Sequence, residues 1–270
     1  MSKTILVGYD GASSRPADAV ALAHALAKLQ RATVVDPGPT SAEALVALAE
    51  GHDSGLIVIG SSRRSRPGGV MPDRGVQTLI DVTSHPLAIA PLGFEHRSSG
   101  ELRHVGVAYD GSRGARAALD LAAGLVASGS GWLELLAVAE PRVNGSVGAS
   151  SSGNGNGRRS HADLERAVAD ALEGMRDQIH VLAETVYGIP TRTLLNRTAA
   201  LDLFVVGSRA DDVAGDPLGS VTTGLLAGEA RCPVLVAPPS RHDRSARSTS
   251  EAALTRPASS PAGGAASRPS

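Results

Sequence analysis

Short apolar runs alternate along the chain with longer stretches of helical periodicity. The runs are rich in β-branched residues and predict buried parallel strands. The clearest are Ile5–Val7, Leu56–Ile59, Val105–Ala108, Leu203–Val206 and Val234–Val236. An Ala-rich stretch follows the first of them, with Leu22, Leu26 and Leu29 at the spacing of one helix face. Strand followed by helix, repeated, predicts right-handed crossovers and a doubly wound sheet.

The chain also contains an internal repeat. Tyr9-Asp10-Gly11 recurs as Tyr109-Asp110-Gly111 at an offset of 100 residues. LIVIGSS, from Leu56, recurs as LFVVGSR from Leu203, and HPLAIAP recurs as CPVLVAP, both at an offset of 147. The offset therefore rises by 47 residues between the first match and the others. Either the first repeat has lost a segment or the second has gained one.

The pattern divides the chain into a first repeat over 1–94, a second repeat over 101–240 and a tail over 241–270. The first repeat reads as strand, helix, a short RATVV segment, helix (41–50), strand, loop, helix and strand. In the second repeat, strands are predicted near 104–109, 132–138, 179–184, 203–207 and 233–237. Helices are predicted near 112–127, 161–177, 191–198 and 218–229. The Gly- and Ser-rich segment 143–160 predicts a flexible loop, and the tail has too few large apolar residues to fold.

Composition narrows the class of protein. Apolar residues make up 42% of the chain but aromatic residues only 2%, so the core must consist of Ala, Val, Leu and Ile. A formal net charge of −1 gives no reason to expect a nucleic-acid or membrane-surface partner. Cys232 is the only cysteine, which excludes an internal disulfide. We find no apolar run of membrane-spanning length and no signal-peptide pattern, and therefore expect a cytoplasmic protein.

Three features of the second repeat point to a ligand site. Asp110 closes the first strand, so its carboxylate is expected at the crevice where open parallel sheets bind ligands. Gly207 closes the fourth strand, where a missing side chain would let a ligand approach the backbone. Gly219 and Ser220 begin the predicted helix 218–229, whose N–H groups and dipole favour an anion. A carboxylate for ribose hydroxyls and a helix start for phosphates together predict a mononucleotide site.

At these motifs the chain resembles the universal stress protein family, from about Lys3 to Pro238. The resemblance implies an α/β fold of the adenine nucleotide alpha hydrolase-like type. That fold would consist of two doubly wound parallel-sheet units of strand order 3-2-1-4-5, the first one truncated. The resemblance also implies that the second repeat binds ATP or a related adenine nucleotide, with Mg²⁺ bridging the phosphates. The function implied is that of a regulatory binding module in the stress response.

The nucleotide-binding branch of the family carries the signature G-x2-G-x9-G-[ST], which this sequence matches with two departures. Gly207 is the first glycine and Gly219-Ser220 the terminal pair, but Ala210 stands at the second glycine. Only eight residues, not nine, separate Ala210 from Gly219. The resemblance implies that Val138 is the strand-2 residue on the adenine side. The residues implied to contact the nucleotide are Ala108, Tyr109, Asp110, Val138, Gly207, Ser208, Arg209, Ala210, Gly219, Ser220, Val221 and Thr222.

The first repeat departs further from the signature. Arg63 replaces the second glycine, and Gly75 is followed by valine rather than serine or threonine. The missing segment corresponds to much of the region from strand 2 to strand 3, on the side that would hold adenine. Family members commonly dimerise through strand 5, so the resemblance implies that Leu87–Ala90 pairs with Val234–Ala237 as an intramolecular pseudo-dimer. Further association into a homodimer stays open.

Two other functions also stay open. The chain could be a scaffold of the same family that binds no nucleotide, which Ala210 and the shortened loop favour, with a protein partner still unknown. An enzyme would be at most a slow ATPase and would need an activated nucleophile or a general base. Asp211 and Asp212 lie in the predicted phosphate loop, but we find no catalytic constellation and no metal-ligand spacing. The exposed-looking arginines Arg63, Arg64 and Arg66 are interpreted as a solvated loop.

Overall fold

A single mixed sheet contains strands from both repeats. The strands of the computed structural model are β1 (Thr4–Gly8), β2 (Thr33–Val35), β3 (Ser54–Gly60), β4 (Leu87–Ala90), β5 (His104–Ala108), β6 (Trp132–Ala139), β7 (Val181–Tyr187), β8 (Leu203–Gly207) and β9 (Val234–Ala237). Within the described part of the chain they form a nine-stranded sheet of order β2-β1-β3-β4-β9-β8-β5-β6-β7. The structure describes residues 3–9, 15–52, 54–72, 74–97, 100–140, 160–173, 175, 178–208 and 230–238.

The second repeat has the predicted topology. Its strands, taken in chain order, are arranged as 3-2-1-4-5, and all four neighbouring pairs run parallel. The predicted third strand, 179–184, is wrong at its boundaries, since β7 covers Val181–Tyr187. The reason is that β6 extends to Ala139 and pairs with β7 as far as Tyr187, so the partner strand sets the length.

The first repeat is truncated, as predicted. Its order is β2-β1-β3-β4, and among the described residues nothing occupies the position of a third strand. The RATVV segment supplies the three-residue strand β2, which pairs with β1 from Thr33 to Val35. The second strand of the fold is thus present in the first repeat as the short strand β2. The missing segment is the one that would follow this strand and contain the third strand.

Helices cover both faces of the sheet. They are α1 (Pro16–Gln30), α2 (Ala42–Gly51), α3 (Arg74–Val82), α4 (Arg113–Ala127), α5 (His161–Glu173) and α6 (Pro190–Arg197), with short 3-10 turns at Phe94–His96 and Thr198–Ala200. The helix predicted over 161–177 is wrong at its end, because α5 stops at Glu173 and turns at Met175. The predicted loop at 143–160 lies almost wholly outside the described residues, and the predicted helix at 218–229 and tail at 241–270 lie outside them altogether.

Alternation along the strands divides the core into two layers. Ile5 and Val7 of β1 belong to the cluster under α1, α4 and α5, whereas Leu6 belongs to the cluster under α2, α3 and α6. Successive side chains of a strand point to opposite faces, so both faces of this sheet must be apolar. Each cluster contains residues from both repeats. None of the helices described here combines the length and the apolar composition that a membrane span requires.

The antiparallel pairing of β4 with β9 joins the two repeats. Leu87 lies opposite Val236, and Ile89 opposite Val234, as the resemblance implied for Leu87–Ala90 and Val234–Ala237. This predicted pairing is confirmed. Each strand would otherwise leave a row of unpaired N–H and C=O groups at a sheet edge. Because the pairing is antiparallel, the strands of the two repeats run in opposite directions. The carboxyl ends of the parallel strands of the first repeat therefore lie beside the amino ends of those of the second.

Truncation of a side chain at this junction should destabilise the whole molecule. Leu235 lies in β9 opposite Ala88 and is fully buried, so we expect Leu235→Ala to lower the free energy of unfolding by about 3 kcal/mol. Leu182→Ala is the control, since Leu182 is 53% exposed and should cost less than about 1 kcal/mol. Urea unfolding of both variants checks this. Equal losses of stability in the two variants would contradict the account of the junction.

Candidate functional site

The strand order of the second repeat reverses between β5 and β8. The chain leaves β5 for β6 on one side, and β8 pairs with β5 on the other, with Val107 opposite Val205. Because β5 and β8 run parallel, their carboxyl ends lie side by side at the same end of the sheet. Ala108 and Gly207 are the last residues of these strands. This is the position at which open α/β sheets bind ligands.

A tight turn follows β5. Tyr109 is buried, and its N–H donates to the carbonyl of Leu136 at 2.8 Å. The half-buried Asp110 accepts the N–H of Ser112 on Oδ1 at 2.9 Å. Gly111 between them has a φ of +74°, which favours glycine. The N-cap of α4 is Ser112, whose Oγ accepts the N–H of Ala115. Asp110 therefore stabilises the turn rather than capping the helix, and its carboxylate lies at the reversal point.

Gly207 has a packing role that the sequence did not indicate. A Cβ at this position would overlap the carbonyl of Gly114, and a Cβ at Gly114 would lie 2.5 Å from the carbonyl oxygen of Ser208. The first turn of α4 therefore fills the space next to Gly207. Our reason for expecting this glycine, open space for a ligand, is wrong. In the first repeat, Gly60 has the same role, since its Cβ would lie 2.7 Å from the carbonyl oxygen of Arg15.

Ser208 and its counterpart in the first repeat, Ser61, differ in their hydrogen bonds. Ser208 is 8% exposed, and its N–H donates to Ala237, but its buried Oγ has no partner among the described residues. Ser61 Oγ donates to the carbonyl of Ala90 at 2.7 Å and accepts the N–H of Met71 at 3.2 Å. A buried hydroxyl without a partner costs about 1–3 kcal/mol. Among the described residues, the Ser61 hydroxyl thus has two hydrogen-bond partners, whereas the Ser208 hydroxyl has none.

The remaining predicted residues fall into two groups. Ala108 and Val138 are half-buried on the same face of the sheet, on the neighbouring strands β5 and β6. They offer an apolar surface beside the Asp110 turn. Six other predicted contacts lie outside the described residues: Arg209, Ala210, Gly219, Ser220, Val221 and Thr222. The structure therefore brings together Ala108, Tyr109, Asp110, Gly207 and Ser208, with Val138 alongside.

In the first repeat, a loop occupies the side that would face a base. Thr40 donates its N–H to the carbonyl of Tyr9 at 2.9 Å, and Gly38 donates its N–H to Asp36 Oδ1. The Tyr9 phenol is hydrogen-bonded to Asp36. Desolvation, the negative charge of Asp36 and this hydrogen bond raise the pKa of Tyr9 above 10.0. We did not foresee this closure, although the run Asp36-Pro37-Gly38-Pro39 is a turn signal.

A second loop, residues 61–71, closes the other side of the first repeat. The N–H of Ser62 donates to Met71, and the N–H of Leu92 donates to Gly69 at 3.0 Å. The arginines Arg63, Arg64 and Arg66 are exposed on this loop. The two main-chain bonds fasten the loop to itself and to the end of β4.

The comparisons with known proteins agree with this fold. The sequence profile of the universal stress protein family matches residues 101–238. The chain belongs to the universal stress protein family. A comparison with curated protein sequences finds no match.

Two solved structures with TM-scores above 0.5 show the same fold, and a third similar structure has a lower score. A universal stress protein from Archaeoglobus fulgidus DSM 4304 is 22% identical, with a TM-score of 0.51 over 78% of this chain and 70% of that one. A protein of Pseudomonas aeruginosa UCBPP-PA14, described as a universal stress protein, is 14% identical, with a TM-score of 0.56 over 93% and 87%. A family protein from Arabidopsis thaliana, solved with AMP bound, is 19% identical, with a TM-score of 0.37 over 52% and 94%.

The closure of the first repeat predicts a pH effect. Because the folded state holds the Tyr9 proton more tightly, this group stabilises the protein fully below the ordinary phenol pKa of 10.0, and the contribution is lost as the pH rises through the raised value. Ultraviolet titration, read as the difference between the protein and Tyr9→Phe, should show ionisation above pH 10.0. Asp36→Asn should move that ionisation down. An unchanged titration in Asp36→Asn would contradict the role of Asp36.

Proposed function

We propose that the second repeat binds ATP or a related adenine nucleotide at the carboxyl ends of β5 and β8, and that the chain acts as a nucleotide-dependent regulatory module in the stress response. The observation that carries the proposal is the buried Ser208 hydroxyl without a described partner, one strand away from the Asp110 turn. The equivalent hydroxyl of Ser61 donates one hydrogen bond and accepts another within the first repeat.

The described residues suggest how the nucleotide lies. The Asp110 carboxylate, in the turn after β5, would accept the ribose hydroxyls. The apolar side chains of Ala108 and Val138 would contact the base from the β6 side. Ser208 follows β8 on the opposite side of the reversal point and would donate its hydroxyl to a phosphate oxygen. The sequence adds Gly219 and Ser220 as a helix start for the remaining phosphates, with Mg²⁺ bridging them.

This proposal predicts one nucleotide per chain. The loop at Asp36–Thr40 closes the base side of the first repeat, and the loop over 61–71 closes its phosphate side. Binding would therefore be confined to the second repeat. No residue is assigned a catalytic role, since binding with regulation needs neither a nucleophile nor a general base.

A scaffold that binds no nucleotide is the second candidate. The packing of Gly207 against Gly114 favours it, because this close approach explains the first glycine of the signature without a ligand. Gly60 makes the same kind of contact in a repeat that is closed. Ala210 and the loop shortened by one residue point the same way. The two candidates differ in whether the folded protein takes up nucleotide.

Calorimetric titration of ATP with Mg²⁺ separates the candidates. We expect saturable binding near one per chain, which Gly219→Val abolishes by adding a side chain at the predicted phosphate helix. No heat of binding at about 1 mM ATP, in protein shown to be folded, would leave the scaffold as the function.

The two serines provide a matched pair of variants. Ser208→Ala should weaken ATP binding about tenfold, because it removes a phosphate donor, and should leave the free energy of unfolding unchanged or slightly higher. Ser61→Ala should lower that free energy by about 1–2 kcal/mol, because it removes two hydrogen bonds, and leave ATP affinity within about twofold. Urea unfolding and calorimetry check both effects. If Ser61→Ala weakened ATP binding and Ser208→Ala did not, the result would contradict the proposed site.

A further inference from the structure

Two buried polar groups without a partner lie at the same end of the sheet, one in each repeat. Among the described residues, the buried side-chain atoms that have no hydrogen-bond partner are Ser208 Oγ, His85 Nε2 and Ser54 Oγ. Ser208 directly follows β8 of the second repeat, at the candidate nucleotide site. His85 lies two residues before β4 of the first repeat. A buried polar group without a partner is unfavourable, so both groups need an explanation.

The pairing of the strands brings these two residues to either side of β9. The N–H of Ser208 donates to the carbonyl of Ala237, the last residue of β9, at 2.9 Å. On the other side of β9, Val236 lies opposite Leu87, the first residue of β4. Because β4 runs antiparallel to β9, the residues before Leu87 continue towards the end of β9 that Ser208 also flanks. Only one strand therefore separates Ser208 from His85.

The register also places both residues on one face of the sheet. Three side chains of the same apolar cluster lie side by side on neighbouring strands: Val206 of β8, Val236 of β9 and Leu87 of β4. Ser208 and His85 each lie two residues further along, and two residues is the side-chain period of a strand. The chain stays extended there, since the Pro86 carbonyl accepts an N–H from β3 at 2.9 Å and a residue before proline favours extended backbone.

The separation of the two residues suits a small anion. Neighbouring strands lie about 4.8 Å apart, so the main chains at Ser208 and His85, on either side of β9, are about 10 Å apart. A phosphate group that accepts one hydrogen bond from each side bridges such a distance. One phosphate can therefore be the partner of both buried groups.

The internal repeat gives the same placement by a second route. His85 corresponds to Cys232, because HPLAIAP aligns with CPVLVAP, and Ser208 corresponds to Ser61. Ser61 begins a loop that donates a main-chain N–H to the carbonyl of Ala230 at 2.9 Å, two residues before Cys232. The residues before the last strand of the second repeat thus contact the loop that follows the equivalent serine of the first. The same relation places His85 beside Ser208.

We infer that His85 of the first repeat forms part of the nucleotide site of the second, where its Nε2 and Ser208 Oγ bind the same phosphate group. This inference rests on the proposed function and adds to it a ligand contact from the truncated repeat. An imidazole Nε2 that carries the proton donates a hydrogen bond, as a hydroxyl does, and phosphate oxygens are strong acceptors. The site is then composed of residues from both repeats, which the pairing of β4 with β9 brings together.

Two substitutions of His85 separate ligand binding from stability. His85→Leu removes the ring nitrogen and should weaken binding of ATP with Mg²⁺ about tenfold, because one hydrogen bond to a charged group is lost. Its free energy of unfolding should be unchanged or higher, because a buried polar atom without a partner is removed. His85→Gln keeps a polar donor at this position and should bind ATP within about threefold of the wild type. Calorimetry and urea unfolding measure both effects, and a joint loss of stability and affinity in His85→Leu would contradict the inference.

Adenosine and Ser54→Ala provide the controls. Adenosine has no phosphate, so its affinity for the wild type and for His85→Leu should agree within about twofold. Ser54→Ala removes the remaining unpartnered group, at the start of β3, and should leave the affinity for ATP unchanged. A loss of adenosine binding equal to the loss of ATP binding would overturn the assignment of His85 to a phosphate.

The ring nitrogen signals of the wild-type chain decide the question if His85→Leu does not fold. In an NMR titration with ATP and Mg²⁺, the Nε2 resonance of His85 should shift, whereas that of the exposed His24 on α1 should not. Wild-type affinity for ATP in His85→Leu, or an unmoved His85 resonance at saturating ATP, would overturn the inference and leave the proposed function standing. Absence of ATP binding to the wild-type chain would overturn both.

Discussion

The antiparallel pairing of β4 with β9 is the interaction on which the rest of the structure depends. Both are short strands at the ends of parallel sheets, and their paired residues are almost fully buried. The described residues of the first repeat form four strands, and alone they would be a small four-stranded sheet. Once the two edges are joined, the helices of both repeats cover one continuous sheet, and each apolar cluster draws on both repeats. A truncated unit of this size gains its stability from that shared core.

The same pairing explains how the repeats can differ in chemistry. The pairing places the carboxyl ends of the strands of the two repeats at opposite ends of the sheet. The loops that follow those ends therefore lie apart and can differ. In the first repeat, Tyr9 interacts with Asp36 of the loop that follows β2. The Ser61 hydroxyl is hydrogen-bonded to the main chain of Ala90 and Met71. In the second, Asp110 holds a tight turn and the Ser208 hydroxyl has no described partner. The two repeats can then differ in the hydrogen bonds at the carboxyl ends of their strands while sharing one sheet.

Much of the fold followed from local pattern, whereas the site did so only in part. Buried parallel strands are continuous apolar runs, so β1, β3, β5, β8 and β9 could be located from the sequence. Their order in the sheet came only from the resemblance to the family. The limits of β7 could not be predicted, because β6 determines how far it pairs. Asp110 lies in the turn two residues after β5 rather than at the end of the strand, and its role at a ligand stays a prediction. The reason given for Gly207 was wrong, because its neighbour Gly114 is distant in sequence. The difference between Ser61 and Ser208 also depends on long-range contacts that no periodicity reports.

The central claim is that the two repeats share one cooperative sheet, and amide hydrogen exchange on the full chain tests it most directly. If the claim is right, peptides covering β1, β3 and β4 should exchange with the same free energy of opening as those covering β5, β8 and β9, because all are released together by global unfolding. If the first repeat exchanged at a free energy several kcal/mol lower than the second, it would open independently, and the two repeats would not form one cooperative sheet.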